Sequence, residues 1–259
     1  MNLIKRLLPY KDLLIVFIWR QISVRYRNSI FGVLWAIIQP LSLMLIFTFI
    51  FTYILDVKIG EYPKAVFFFA GLLPWTFFST SLNFSIGSIV GSRGLIDKIY
   101  FPKEILPLSG IAAALLDLLI ACVFFVILLL IFKIKITIYV IWIIPLFLLL
   151  FIFTLSICLI LSSLNAYYRD VGLVSRLIIR ILFFASPILY SIDHLSLKFK
   201  LFLFLNPLTF LIENMRRCVI EARGVVIWQL ILVTLLVLIL FIFSHRLFTK
   251  IEKGIVDVI

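Results

Sequence analysis

Long apolar runs separated by short charged stretches set the pattern of this chain. The runs are continuous rather than alternating at every second position, which marks membrane helices and not a membrane barrel. About 20 apolar residues make one helical span. Six runs can be placed, at 31 to 55, 65 to 90, 107 to 132, 138 to 164, 176 to 190 and 225 to 244. The pattern predicts an all-α integral membrane protein forming a single transmembrane domain over residues 1 to 259.

Three segments depart from that pattern. Residues 9 to 28 hold an apolar run, Leu13 to Trp19, too short to cross and followed by charges. At 100° per residue Ile15, Ile18, Ile22 and Tyr26 share one face and Arg20, Ser23 and Arg27 the opposite one, which predicts an interfacial helix. Leu13, Val16 and Val24 fall on the charged side and Arg25 on the apolar side, leaving part of the charged side for contact with protein.

The second is R-G-L-I-D-K-I-Y-F-P-K-E-I-L-P, Arg93 to Pro107, a compact charged and aromatic handle over residues 93 to 106. Its charges are too costly for hydrocarbon, and the segment is too small for a domain. Leu95, Ile96, Ile99 and Tyr100 repeat at helical spacing beside Asp97, Lys98, Lys103 and Glu104, predicting a short amphipathic helix parallel to the membrane and ended by Pro102. A plain loop is the bland reading. A loop that only joined two spans has no reason to expose Ile, Tyr and Phe101, so the pattern favours a docking handle.

The third, residues 191 to 224, is apolar but split by Asn206 and Pro207, so neither half spans. Two readings are open: re-entrant half-helices in the outer leaflet, shielded by the bundle or by a cavity, and an outer loop lying on the membrane.

Composition narrows the function classes. The chain is 64% hydrophobic and 14% charged, with 27 Phe and a net charge of +12, far from a soluble domain. Little length remains for an enzymatic domain. No phosphate-binding loop and no metal or acid–base pairing occurs, so the chain is not an ATPase by itself and no catalytic or metal residue is expected. Cys122, Cys158 and Cys218 lack paired spacing, and His194 and His245 read as solvated side chains.

The start, with Lys5, Arg6, Lys11, Arg20, Arg25 and Arg27 against Asp12, does not read as a cleaved signal peptide. The loops on the side of the termini hold Arg93, Lys98, Lys103, Arg169, Arg176, Arg246, Lys250 and Lys253, against Lys58, Lys64, Lys133 and Lys135 in two opposite loops. The positive-inside rule therefore puts both termini in the cytoplasm. Lys198, Lys200, Arg216, Arg217 and Arg223 in the last outer segment run against it.

Asp117 is the one carboxylate well inside a span. A proton relay and a structural acid paired to a hydroxyl or amide are both open, and the lack of further central charges argues against an ion-driven transporter. The aromatics Phe47, Phe51, Tyr53, Phe67, Phe68, Phe69, Phe77 and Phe78 face lipid, pack in the bundle or line a conduit offering ring faces to sugar C–H surfaces; Phe47, Phe51 and Tyr53 are the lining candidates. Gly87 with Gly91 and Gly110 with Ala114 mark close helix approach, within one bundle or between copies.

V-R-Y-R-N-S-I-F-G-V-L-W-A-I-I-Q-P from Val24 to Pro40, G-L-L-P-W-T-F-F from Gly71 to Phe78, the handle, Y-R-D at Tyr168 to Asp170, F-A-S-P-I-L-Y at Phe184 to Tyr190 and N-P-L-T at Asn206 to Thr209 together resemble the membrane subunits of polysaccharide ABC exporters, the O-antigen and teichoic-acid permeases. The resemblance runs over nearly the whole chain. It implies a homodimer of six-span subunits in a bacterial inner membrane, joined to two copies of a separate ATPase that holds ATP and Mg2+ and exporting a lipid-linked polysaccharide. It makes Leu95 to Glu104 the coupling helix, residues 9 to 28 the interface helix, the halves around Pro207 the outer gate, and Arg169 with Asp170 a brace at a cytoplasmic corner. Spans one and five would tilt as the ATPases close. Arg20, Arg25 and Arg27 would meet anionic headgroups or the pyrophosphate of a polyprenyl carrier. No nucleic-acid partner is implied. The remaining alternatives are an ABC permease for small molecules or lipids, and a scaffold or channel with no ATPase.

Overall fold

The computed structural model describes residues 6–27, 29–56, 62–192, 196–204 and 206–254. Lys5, Lys58 and His194 lie outside the described residues, as does the last residue of the 9 to 28 segment. Among the described residues every regular element is helical, and five helices are long and apolar enough to cross a membrane.

The elements, in order, are α1 (Lys11–Tyr26), α2 (Trp35–Phe49, running on as a π-turn through Ile54), α3 (Lys64–Ile86), α4 (Arg93–Ile96), α5 (Ile105–Ile131), α6 (Ile143–Tyr167), α7 (Asp170–Ala185), α8 (Leu197–Phe204), α9 (Pro207–Arg216) and α10 (Ile227–Glu252). Gly32, at φ +49°, takes the left-handed conformation that turns the chain from α1 into α2. Five of the expected spans coincide with α2, α3, α5, α6 and α10. The fifth run is different. Its helix, α7, starts at Asp170, ends at Ala185 and has 16 residues, about 24 Å of helix, with Arg176 and Arg180 exposed on it. It falls short of a span by length, as the run from 176 to 190 already did.

α3 is the axis of the bundle. It is apolar nearly all round, as a helix enclosed by others must be, and packs against α2, α5, α6, α7 and α9. Its rings organise the core: Phe68 meets Phe47 and Phe51 of α2, Phe69 meets Phe124 and Phe125 of α5, Phe77 meets Phe147 and Phe151 of α6, and Trp75 meets Phe183 of α7. The close α3–α5 crossing depends on Gly110, where a Cβ would lie 2.9 Å from the Cβ of Phe84. Gly110 and Ala114 thus serve packing within one subunit. A Cβ at Gly87 or Gly91 would enter open space.

Several hydroxyls inside the bundle bond to their own helix, as suits an apolar setting: Thr154 donates to the Leu150 carbonyl, Ser156 to Ile152 and Thr234 to Leu230, whereas Ser85 of α3 donates across to the Pro107 carbonyl of α5. The outer surfaces of α2 and α10 are apolar and exposed, with Leu45, Ile46 and Phe49 on one and Ile231, Leu235 and Ile239 on the other.

Candidate coupling site

The handle is less helical than its periodicity suggests. α4 is a single turn ending at Ile96 rather than at Pro102, and residues 99 to 102 are irregular. Gly94, a poor helix former, sits inside the turn, and no side chain caps it. The segment divides in two. Leu95 packs against the core, while Ile96, Phe101, Pro102 and Glu104 are buried. Asp97, Lys98, Ile99 and Tyr100 face outward, with Tyr100 87% and Ile99 51% exposed.

The root of the handle is clasped from two sides. Arg6, ahead of α1, donates from Nη1 to Oε1 of Glu104 at 2.9 Å and from Nη2 to Oε2 of Glu252, at the end of α10, at 2.6 Å. The Lys103 backbone N–H donates to Oε1 of Glu252 at 2.9 Å, and its Nζ to the Glu252 carbonyl at 3.1 Å. Three segments far apart in sequence therefore meet in one network. Burial of Glu104, reinforced by the charge of Glu252, raises its carboxyl above the usual glutamate range even though Arg6 and Lys103 pull the other way.

Above the clasp α1 runs along α5. Phe17, the buried residue of α1, lies 5.9 Å from the Phe101 ring. At the other end Arg25 Nη1 pairs with Oδ2 of Asp117, and Tyr26 Oη donates to Oδ1 at 2.6 Å. The Arg25 guanidinium also lies over Phe84, 5.2 Å from the ring centre. Asp117 is thus held by a cation and a phenol from the N-terminal helix, not by an amide of another span. The pairing explains why Arg25 departs from the charged face. Arg20 and Arg27 remain exposed, as the wheel predicts, but Ile15 is exposed too. A small pocket beside the pair is lined by Gln39, Thr76 and Thr80 together with Ala36, Pro40 and Phe77.

Between the handle and the end of α10 lies a cleft of about 1030 Å³, bordered by Lys98, Ile99 and Tyr100 on one side and by His245, Arg246 and Lys253 on the other. His245 is half-buried, stacks on Phe241 and has a buried Nδ1 with no partner among the described residues, so it is not the freely solvated side chain expected.

Arg169 and Asp170 stand exposed at the α6–α7 corner, Asp170 opening α7. No salt bridge between them occurs among the described residues. Next to them Asn165 donates to the Ile86 carbonyl at 3.0 Å and Tyr167 to the Ile251 carbonyl at 3.2 Å.

At the opposite end α8 and α9 flank Asn206 and Pro207. Asn206 caps α9, its Oδ1 accepting from the Leu208 N–H at 3.1 Å, while Nδ2 donates to Ser186 Oγ at 3.1 Å; Pro207 fits the first helical position, where its missing N–H is not needed. α9 is buried between α3 and α6. Arg216 at its end is 1% exposed. It donates from Nη1 to Glu213 at 3.1 Å and from Nη2 to the Pro187 and Ile188 carbonyls at 2.7 and 3.2 Å, and lies 3.8 Å above the Phe67 ring centre. Sequence reasoning counted Arg216 as a loop charge; the Glu three residues earlier was the available signal. Of the three conduit candidates, Phe47 and Phe51 are half-buried against Phe68, and Tyr53 is 76% exposed.

An all-helical bundle with five helices able to cross a membrane and a clasped, outward-facing handle defines a multi-pass membrane protein. Residues 12–220 match the model of the ABC-2 type transporter family, and the chain belongs to that family. It is similar to the O-antigen export system permease protein RfbA of Klebsiella pneumoniae, 34% identical over 206 residues covering 79% of each chain. RfbA of Myxococcus xanthus is 30% identical over 86% of this chain and 85% of its own. The polysialic acid transport protein KpsM of Escherichia coli is 29% identical over 88% and 90%.

Proposed function

We propose that this chain is the membrane-spanning half of an ATP-driven polysaccharide exporter of a bacterial inner membrane. Two copies flank a conduit, and each seats its handle in one copy of a separate ATPase that binds ATP and Mg2+. The cargo is a lipid-linked glycan of the O-antigen kind. Both termini are cytoplasmic. α7 serves as a short sixth crossing, and α8 and α9 form a re-entrant outer gate.

The observation that carries this reading is the division of the handle, with Ile99 and Tyr100 bare while Phe101 to Glu104 are locked to the bundle. Bare apolar tips on a rigid root are what a lever needs. A push on the tip passes through Arg6 to α1 and through Glu252 to α10, so the force reaches the bundle without hydrolysis chemistry in this chain. The handle must also contact open and closed ATPase states with different strength, since equal contact shifts nothing. Replacing Ile99 and Tyr100 by Asp tests the reading: copurification of the ATPase and export are lost while the subunit stays folded, because both side chains are exposed. Unchanged copurification and export would refute the seating of the handle in the ATPase.

A further inference from the structure

The cleft beside the handle carries a charge pattern that docking of apolar tips does not use. Arg6 and Lys103 are matched by Glu104 and Glu252. The remaining cations at the cleft, Lys98, Arg246 and Lys253, have no carboxylate within ion-pair distance among the described residues, and only Asp97 offsets them. Arg246 and Lys253 are two turns apart on one face of α10, about 10 Å along the axis, opposite Ile99 and Tyr100. His245 borders the same space, its buried Nδ1 without a partner among the described residues.

We infer that the end of α10 is the second wall of the partner's seat: the cleft receives an acidic element of the ATPase, its carboxylates meeting Lys98, Arg246 and Lys253 while its apolar side covers Ile99 and Tyr100. This rests on the exporter reading and adds to it the partner's chemistry and α10's share in the contact. A protein, rather than a lipid headgroup, is the occupant. Asp117 lies well inside the span, and Ile105, at the handle's root, is twelve residues, about 18 Å of helix, beyond it, more than the roughly 15 Å half-thickness of a hydrocarbon core. The cleft also joins cations to exposed apolar side chains, the mixture of a protein interface. Because the clasp fixes α10 to the handle, one partner element can grip both.

The test uses the chain coexpressed with its nucleotide-binding subunit in three forms: Lys98→Glu/Arg246→Glu/Lys253→Glu, the same positions changed to Gln, and Ile99→Asp. ATPase retention on the tagged chain is read against ionic strength, and retained phosphatidylglycerol is measured in parallel. The expected result is about a tenfold or greater loss of ATPase in the Glu form, a smaller loss and weaker salt dependence in the Gln form, and unchanged phosphatidylglycerol. Wild-type retention in the Glu form with loss in Ile99→Asp overturns this inference and leaves the exporter reading standing. Retention in both refutes docking through the handle as well as this inference. Retained ATPase with loss of phosphatidylglycerol from the Glu form assigns the cleft to lipid and overturns the inference as well.

Discussion

Replacing Gly71 by Ala probes the buried arginine at the end of α9. A Cβ at Gly71 would lie 2.5 Å from Arg216 Nη2 and 3.3 Å from the Ile188 carbonyl oxygen. The guanidinium cannot swing aside freely, since it is held by Glu213, two carbonyls and the Phe67 ring. Displacing it loses at least one charge-assisted hydrogen bond, about 1.5–3 kcal/mol. Arg216→Met alone leaves the Glu213 charge without this partner in a site where Glu213 is 3% exposed, about 3–5 kcal/mol. In the Arg216→Met background the alanine meets only the Ile188 backbone, and its own effect falls below about 1 kcal/mol. The assay is a double-mutant cycle on denaturation of the purified subunit, read by loss of the monodisperse species. Equal effects of Gly71→Ala in both backgrounds would refute the claim that the guanidinium fills the place of a side chain at position 71.

Three further outcomes are expected. Asp117→Ala destabilises the subunit by about 2–3 kcal/mol and makes α1 more sensitive to protease after Arg27, whereas Arg25→Leu combined with Asp117→Leu recovers much of the loss; an unaltered digestion pattern in Asp117→Ala would show that the pair does not hold α1. The raised Glu104 carboxyl binds its proton more readily in the folded state than in the unfolded one, so its contribution is fully present below the unfolded value near 4.5 and declines as pH rises through the folded value; stability measured across that window should lose part of its pH slope in Glu104→Gln, and an identical slope would contradict the assignment. Asn206→Ala removes the α9 cap, about 1 kcal/mol, and the link to Ser186, slowing export with the ATPase still bound; export at the normal rate would count against a gate.

The long helices were legible because lipid-spanning segments are written as continuous apolar runs. α7 was harder, for its hydrophobic residues share one helix with Arg176 and Arg180 and its ends are set by the α6 corner and by Ser186 and Pro187. Ion pairs joining distant segments were the main loss. Asp117 was visible as an anomaly and Arg25 as a misfit on its wheel, yet nothing local links residues 92 apart. The clasp of Arg6, Glu104 and Glu252 is of the same kind. The exposure of Ile99 and Tyr100 on the handle was readable from its sequence, but its helix was overestimated, since periodicity over a few residues cannot tell a single turn from three.

The most direct test of the account is the sidedness of the handle. A single cysteine introduced as Lys98→Cys, in a chain whose own cysteines are changed to serine, is treated with a membrane-impermeant thiol reagent in intact cells and in inverted membrane vesicles. The account predicts labelling in the inverted vesicles alone, and protection there when the ATPase is bound. Labelling on intact cells would place the lever on the wrong side of the membrane for any cytosolic motor, contradicting the central claim.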